Sequence, residues 1–393
     1  MKKFFYKGSH SLNFCVIIPT ICLVVLGIIM VYSASSYSAL NSFGNSMFFV
    51  NKQIIGAVLG FCALALCYFV DYKILSKLKY ISLALGIIVL ALVLIPGVGI
   101  ENYGARRWLG FGSFSFQASE IAKFCFIIFC AGYMAEHKNK MNTLVGSLPV
   151  LCAGFCMCVL IMFEPNMSIT LCLGAVMILM LLVGGMKILH LCALGVPILC
   201  AIPVLILLEP YRMKRIVAFL DPWASPQGEG FQLIQSLYSL GSGGWFGVGL
   251  FNSRAKYSFL PFSESDFIFS IIGEELGLVG ALIVLALFAV LIVSGLRIAS
   301  RASTRFGCYF ATGISSIIAI QVILNVAVVT GLVPPTGLPL PFMSAGSTSL
   351  VVFLSSIGVL LNIHRQNQKN PYENPKMQFQ MGWLKIDVMI CLH

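Results

Sequence analysis

Apolar runs of about 20 residues recur along this chain, and they decide what it can fold into. About ten are found: near 14–32, 54–70, 79–96, 118–135, 145–163, 167–184, 188–208, 266–296, 307–331 and 344–363. Hydrocarbon offers no water to a backbone N–H or C=O. Segments this apolar therefore satisfy their own polar groups as helices. The 10% of charged residues falls well below the roughly 25% of a soluble domain. The expected fold is all-α: a polytopic membrane protein with about ten transmembrane helices and one large extracytoplasmic loop, 209–265. Residues 1–365 make up the membrane domain and 366–393 a cytoplasmic tail to which no role is assigned. Met1-Lys-Lys and the run behind it imitate a signal peptide, but that run exceeds the usual core of about 7–15 residues and is read as a retained first span.

The net charge of +11 would suggest nucleic acid in a soluble protein. Here it follows from orientation. With the N-terminus in the cytoplasm, sixteen of the 25 Lys and Arg residues fall on the cytoplasmic side, which obeys the positive-inside rule and puts both termini inside. No nucleic-acid partner is expected. Most of the 14 Cys sit inside apolar runs, as in Leu151-Cys-Ala-Gly-Phe-Cys-Met-Cys158. There they read as small hydrophobes rather than as disulfides or metal ligands.

Apart from Lys52, the basic residues that break the rule cluster: Arg106 and Arg107; Arg212, Lys214 and Arg215; Arg254 and Lys256. Long loops translocate regardless of charge. The alternative is a cationic face for an anionic head group, since the planar guanidinium binds phosphate bidentately. Segment 97–117 alternates Gly with aromatics around Arg106-Arg-Trp108 and reads as an interfacial or re-entrant element, either a mere anchor or a substrate contact. Glu120 and Lys123 stand at i,i+3 just inside a span, as a structural ion pair or as the wall of a polar cavity. Segment 209–265 carries Gln, Asn and Trp, among them Gln235, a mixture suited to a sugar. Its Gly-x-Gly steps follow no expected strand and do not read as a nucleotide loop. The Pro-rich loop 334–349 carries Ser344, which with Asn325 could line the same cavity. Asp266 opens the eighth span, at the boundary of water and lipid, where a carboxylate is costly and usually functional.

Taken in order, Val31-Tyr-Ser-Ala-Ser35, Gly104-Ala-Arg-Arg-Trp-Leu-Gly110, Phe116-Gln-Ala-Ser-Glu-Ile-Ala-Lys123, Phe219-Leu-Asp-Pro-Trp223, Gly230-Phe-Gln-Leu-Ile-Gln-Ser236, Asp266-Phe-Ile-Phe269 with Gly273-Glu-Glu-Leu-Gly277, and Thr336-Gly-Leu-Pro-Leu-Pro-Phe342 resemble the SEDS family (shape, elongation, division and sporulation) over roughly residues 14 to 365. Val31–Ser35 and Gly244–Gly249 look more like its division branch than its elongation branch. The resemblance implies a peptidoglycan glycosyltransferase of the cytoplasmic membrane. Such an enzyme polymerises lipid II into β-1,4 glycan, and works with a class B penicillin-binding transpeptidase and other division proteins. The family's essential aspartate matches Asp266, the expected general base, and its functional acid and lysine match Glu120 and Lys123. Arg106, Arg107, Arg212 and Arg215 are candidates for the diphosphate, with Trp108, Gln235 and Ser344 as further substrate contacts. A divalent cation, Mg or Mn, could sit at Asp266 or Glu264. The chain departs from the family pattern at Ala118, Asn166, Phe262, Glu264 and Ala345, which keeps a catalytically weak scaffold open beside the enzyme. A lipid II flippase using Glu120, Lys123, Glu274 and Glu275 is the other alternative.

Overall fold

The computed structural model describes residues 2–102, 105–111, 114–193, 195, 213, 217–228, 230–257, 260–335 and 337–369. Its helices are α1 (Lys2–Phe43), α2 (Phe48–Phe69), a short α3 (Lys73–Lys77), α4 (Lys79–Leu94), α5 (Ala118–Glu136), α6 (Leu144–Phe163), α7 (Met167–Val183), α8 (Phe231–Gly243), α9 (Ile268–Ser300), α10 (Arg305–Val329) and α11 (Ser347–Lys369). Seven are long and apolar enough to cross a membrane: α1, α2, α5, α6, α9, α10 and α11. Two shorter apolar helices, α4 and α7, accompany them. The run near 188–208 lies mostly outside the described residues, as do Arg212, Arg215 and the tail beyond Lys369.

The helices pair as neighbours, α2 with α11 in the same direction and α4 with α5, α9 with α10 and α1 with α9 antiparallel, while α5 and α10 pack in the interior. Burial follows that placement. Ala118, Ala122, Phe126, Ile127 and Met134 of α5 are almost wholly enclosed, whereas α2 and α4 expose Ile54, Val58, Leu66, Ile81 and Ile88, the surface that hydrocarbon covers. Alternation of direction brings the N-termini of α2, α5, α7, α9 and α11 to one end of the bundle, together with segment 95–117 and the loop ahead of α11. Lys73, Lys77, Lys138, Lys140, Arg301 and Arg305 lie at the other end.

Segment 97–117 differs from the sequence expectation. It is a three-stranded antiparallel sheet in the order β1 (Gly99–Asn102), β2 (Ala105–Phe111), β3 (Phe114–Gln117), with a register shift at Ile100/Glu101. The Gly–aromatic alternation is a two-residue strand period. β3 runs directly into α5, so the sheet sits on the end of the bundle.

Candidate functional site

Asp266 stands in the turn 261–267, just ahead of α9, half-buried. Its surroundings are built from three directions. From α10, the Asn325 amide donates to the Asp266 carbonyl (2.8 Å) and to the Leu338 carbonyl (2.7 Å), tying turn and loop together. From the loop, the Ser344 hydroxyl donates to the Ser265 carbonyl (2.5 Å) and accepts from the Leu340 N–H (2.8 Å), while the Ala345 N–H donates to the Glu264 carbonyl (2.8 Å). From α2, Gln53 donates to the Ser344 carbonyl (3.1 Å) and accepts from the Gly346 N–H (3.2 Å).

The carboxylate faces Gly337. A Cβ on Gly337 would lie 3.0 Å from Asp266 Oδ2, and its φ of +71° also favours glycine. Phe262 (φ 57°) and Phe342 (φ 64°) bracket the corner in the left-handed region. For a bulky residue that costs about 1–3 kcal/mol, and it persists only where neighbours over-determine the backbone. Burial pushes the Glu264 carboxyl above the usual glutamate range, against a weak hydrogen bond from Ser263.

Glu120 and Lys123 meet as an ion pair of 2.7 Å with side chains 1% and 0% exposed. Glu120 Oε2 and Ser119 Oγ have no partner among the described residues. Lys123 Nζ also stands 6.0 Å from the Phe353 ring centre, and Phe353 packs on Phe342 of the Asp266 corner at 5.5 Å. The pair is thus linked through two aromatic rings to the loop ahead of α11, whose Ser344 holds the turn that carries Asp266. The sheet joins the corner at the start of α11, where the Gln117 N–H donates to Thr348 Oγ1 (3.4 Å). Trp108 pairs in register with Gln117. Arg106 pairs with Glu101 at 3.1 Å, partly exposed. Gln235 is half-buried on α8, next to Ser236, whose hydroxyl donates to the Val329 carbonyl (2.7 Å) and meets the Ser270 hydroxyl (2.8 Å). Among the described residues no group of three His, Cys, Asp or Glu is arranged for a metal ion. A divalent cation at Asp266 would therefore draw most of its ligands from a substrate diphosphate and water.

Arg107 does something the sequence did not disclose. Its Nε and Nη2 donate to the carbonyls of Glu164 (3.0 Å) and Pro165 (2.6 Å), clamping β2 to the α6–α7 turn. The Glu164 side chain is fully buried, with neither carboxyl oxygen hydrogen-bonded among the described residues. Burial pushes this carboxyl up to about 8, with Arg107 pulling the other way. A carboxyl that holds its proton more tightly folded than unfolded contributes fully below its ordinary value near 4.5, and that contribution fades as pH rises through about 8. The melting temperature of the wild type should therefore fall between pH 6 and pH 9 relative to Glu164→Gln, which removes the titration. Parallel pH profiles for the two proteins would contradict a buried protonated Glu164.

Fold and site together define a polytopic membrane protein in which a set of hydrogen-bonded polar residues at one end of a helix bundle surrounds a carboxylate at a helix mouth. The chain belongs to the cell cycle protein family of FtsW, RodA and SpoVE, which it matches over residues 13–369. It is 42% identical to stage V sporulation protein E of Bacillus subtilis over 359 residues, 91% of this chain and 98% of that one. It is 38% identical to a probable peptidoglycan glycosyltransferase FtsW of Trichlorobacter lovleyi, over 92% of this chain and 95% of that one. A chain from a solved peptidoglycan synthase complex that coordinates polymerization and crosslinking superposes with a TM-score of 0.74 at 27% identity, covering 89% of this chain and 97% of that one. The rod shape determining protein RodA of Thermus thermophilus gives 0.65 at 25% identity, covering 89% and 96%.

Proposed function

We propose that this protein is a peptidoglycan glycosyltransferase that polymerises lipid II, with Asp266 as general base. The observation that carries the reading is the Asp266 carboxylate, half-buried at the mouth of α9 beside Gly337, within a family whose relatives bear that activity in their names. The bundle end that holds Asp266 faces away from the cytoplasm, and both termini lie inside. The Lys and Arg residues concentrated at the opposite end support this orientation. Lipid II carries its sugar on an α-linked diphosphate. The Asp266 carboxylate takes the proton of the acceptor hydroxyl, whose oxygen attacks the anomeric carbon from the opposite face. The C1–O bond to the diphosphate breaks, a β-1,4 bond forms, and polyprenyl diphosphate departs with the electron pair. Cationic side chains stabilise the departing charge, Arg106 and Arg107 from β2 and Arg212 and Arg215 from the large loop. Trp108 and Gln235 contact the sugar, Ser344, its hydroxyl engaged with Ser265 and Leu340, holds the Asp266 turn rather than the sugar, and Lys123 and Glu120 support the pocket from α5. The partners are a class B penicillin-binding transpeptidase and other division proteins.

Labelled lipid II in liposomes with the purified protein tests the reading. Glycan polymer with unchanged transbilayer movement of lipid II supports it. Accelerated movement without polymer would make the protein a flippase instead.

A further inference from the structure

A second buried cluster of charge lies where α9 breaks. Gly277 has φ 70° and ψ −171° inside the helix. Beyond it, the N–H groups of Leu278 and Val279 leave the helical ladder and donate to the carbonyls of Gly244 (2.9 Å) and Trp245 (3.1 Å). The carbonyls of Glu274 and Glu275 accept instead from the N–H groups of Val248 (2.9 Å) and Gly249 (3.1 Å). Loop 244–249 is thereby stitched into the helix. The approach excludes side chains: a Cβ on Gly247 would lie 2.1 Å from the Glu275 carbonyl, and one on Gly277 2.3 Å from the Gly247 nitrogen.

The two glutamate side chains continue the attachment. Glu274 accepts from the Ser253 hydroxyl (2.6 Å) and the Arg254 N–H (2.8 Å). Glu275 accepts from the Ser253 N–H (3.2 Å) and from the Ser33 hydroxyl of α1 (2.5 Å). Lys256, only 5% exposed, brings its ammonium to 3.4 Å from Glu275, 3.3 Å from Ser33 Oγ and 2.5 Å from the Phe251 carbonyl. The turn that carries Asp266 hangs from the same points. The Leu260 N–H donates to the Ala255 carbonyl (2.9 Å), and the Ser263 hydroxyl to the carbonyl of Ala34, the residue after Ser33 (3.3 Å).

A buried ion pair is a poor source of stability, because desolvation offsets most of its attraction. What it does supply is one geometry, since other placements of the loop strand a charge. We propose that Lys256 and Glu275 are positioning residues for Asp266. Their pair, shared with Ser33, sets turn 261–267 against α1 and so sets where the carboxylate meets the acceptor hydroxyl. This rests on the glycosyltransferase reading of Asp266. A displacement near 1 Å at a reacting group can lower turnover by about a hundredfold.

The test compares Lys256→Met, Lys256→Arg, Glu275→Gln and the double Lys256→Met/Glu275→Gln with wild type, by kcat and KM for lipid II and by amide hydrogen exchange over 260–267. Lys256→Met and the double variant should each lose about tenfold or more in kcat, with KM little changed and exchange over 260–267 accelerated. Lys256→Arg should recover most of the rate. A double variant with wild-type kcat would overturn the proposal, because the single-variant defect would then be only a stranded charge. If Lys256→Met fails to fold, the double variant decides, since it leaves neither charge of the pair without the other. Absence of polymer from the wild type itself would strike at the catalytic reading. The exchange over 260–267 then decides the positioning role alone, and an unchanged rate there would overturn it.

Discussion

Asp266→Asn is expected to fold as the wild type does, to bind lipid II, and to lose polymerisation by on the order of a hundredfold or more, the usual contribution of a positioned general base. The substitution is nearly isosteric. Asn325 bonds the backbone carbonyl of residue 266 and Ser344 that of Ser265, so neither anchor depends on the carboxylate. Gly337 leaves the same space for an amide as for an acid. What disappears is the proton acceptor. Initial rates, a lipid II binding curve and a melting curve on one preparation separate these effects. A rate close to wild type with intact binding would remove Asp266 from the chemistry.

Lys123→Met is expected to destabilise the fold by about 3–5 kcal/mol, because it strands Glu120 in a site with no exposure. Glu120→Gln also strips the buried Lys123 of its counter-charge, but should cost less, since the amide oxygen still accepts a hydrogen bond from the ammonium. The double variant Glu120→Gln/Lys123→Met should recover most of the loss, as replacing both members of a buried pair is often nearly neutral. Denaturation of the three variants beside wild type gives the coupling directly. Activity should fall further than stability alone accounts for, because Lys123 packs on Phe353 and Phe353 on Phe342, which lies in the loop that holds Asp266. Additive losses in the double variant would show that the two side chains do not act as a pair.

The helices were legible because hydrophobic length reports directly on a membrane span. α5, for instance, runs Ala118–Glu136 against an expected 118–135. The Glu120–Lys123 pair was legible because i,i+3 neighbours share a helix face. The sheet at 99–117 was missed for a physical reason: its strands are four to seven residues long. Glycine between aromatics looks interfacial until pairing across strands is known. α8 left a trace in Phe231, Ile234 and Leu237, spaced three apart on one helix face, that turn-forming Gly and Ser nearby obscured. Gln53 stands just ahead of the expected span 54–70 beside Asn51 and Lys52, where a polar residue is ordinary, so nothing local marked it as the amide that ties α2 to the Ser344 loop. The Arg107 clamp on the α6–α7 turn and the Lys256–Glu275–Ser33 contact join segments remote in sequence, and no local pattern announces them. Phe262 and Glu264, departures from the family pattern, lie in the turn that carries Asp266, and Ala345 faces it by donating its N–H to the Glu264 carbonyl.

The most direct test is polymerisation of labelled lipid II by the purified protein, with and without a class B transpeptidase, wild type beside Asp266→Ala. Polymer from the wild type that disappears in Asp266→Ala under both conditions is the predicted result. Equal polymer from the two proteins, or none from a folded, partner-bound wild type, would contradict an enzyme centred on Asp266. The second outcome would leave a membrane scaffold that serves its partner without chemistry of its own.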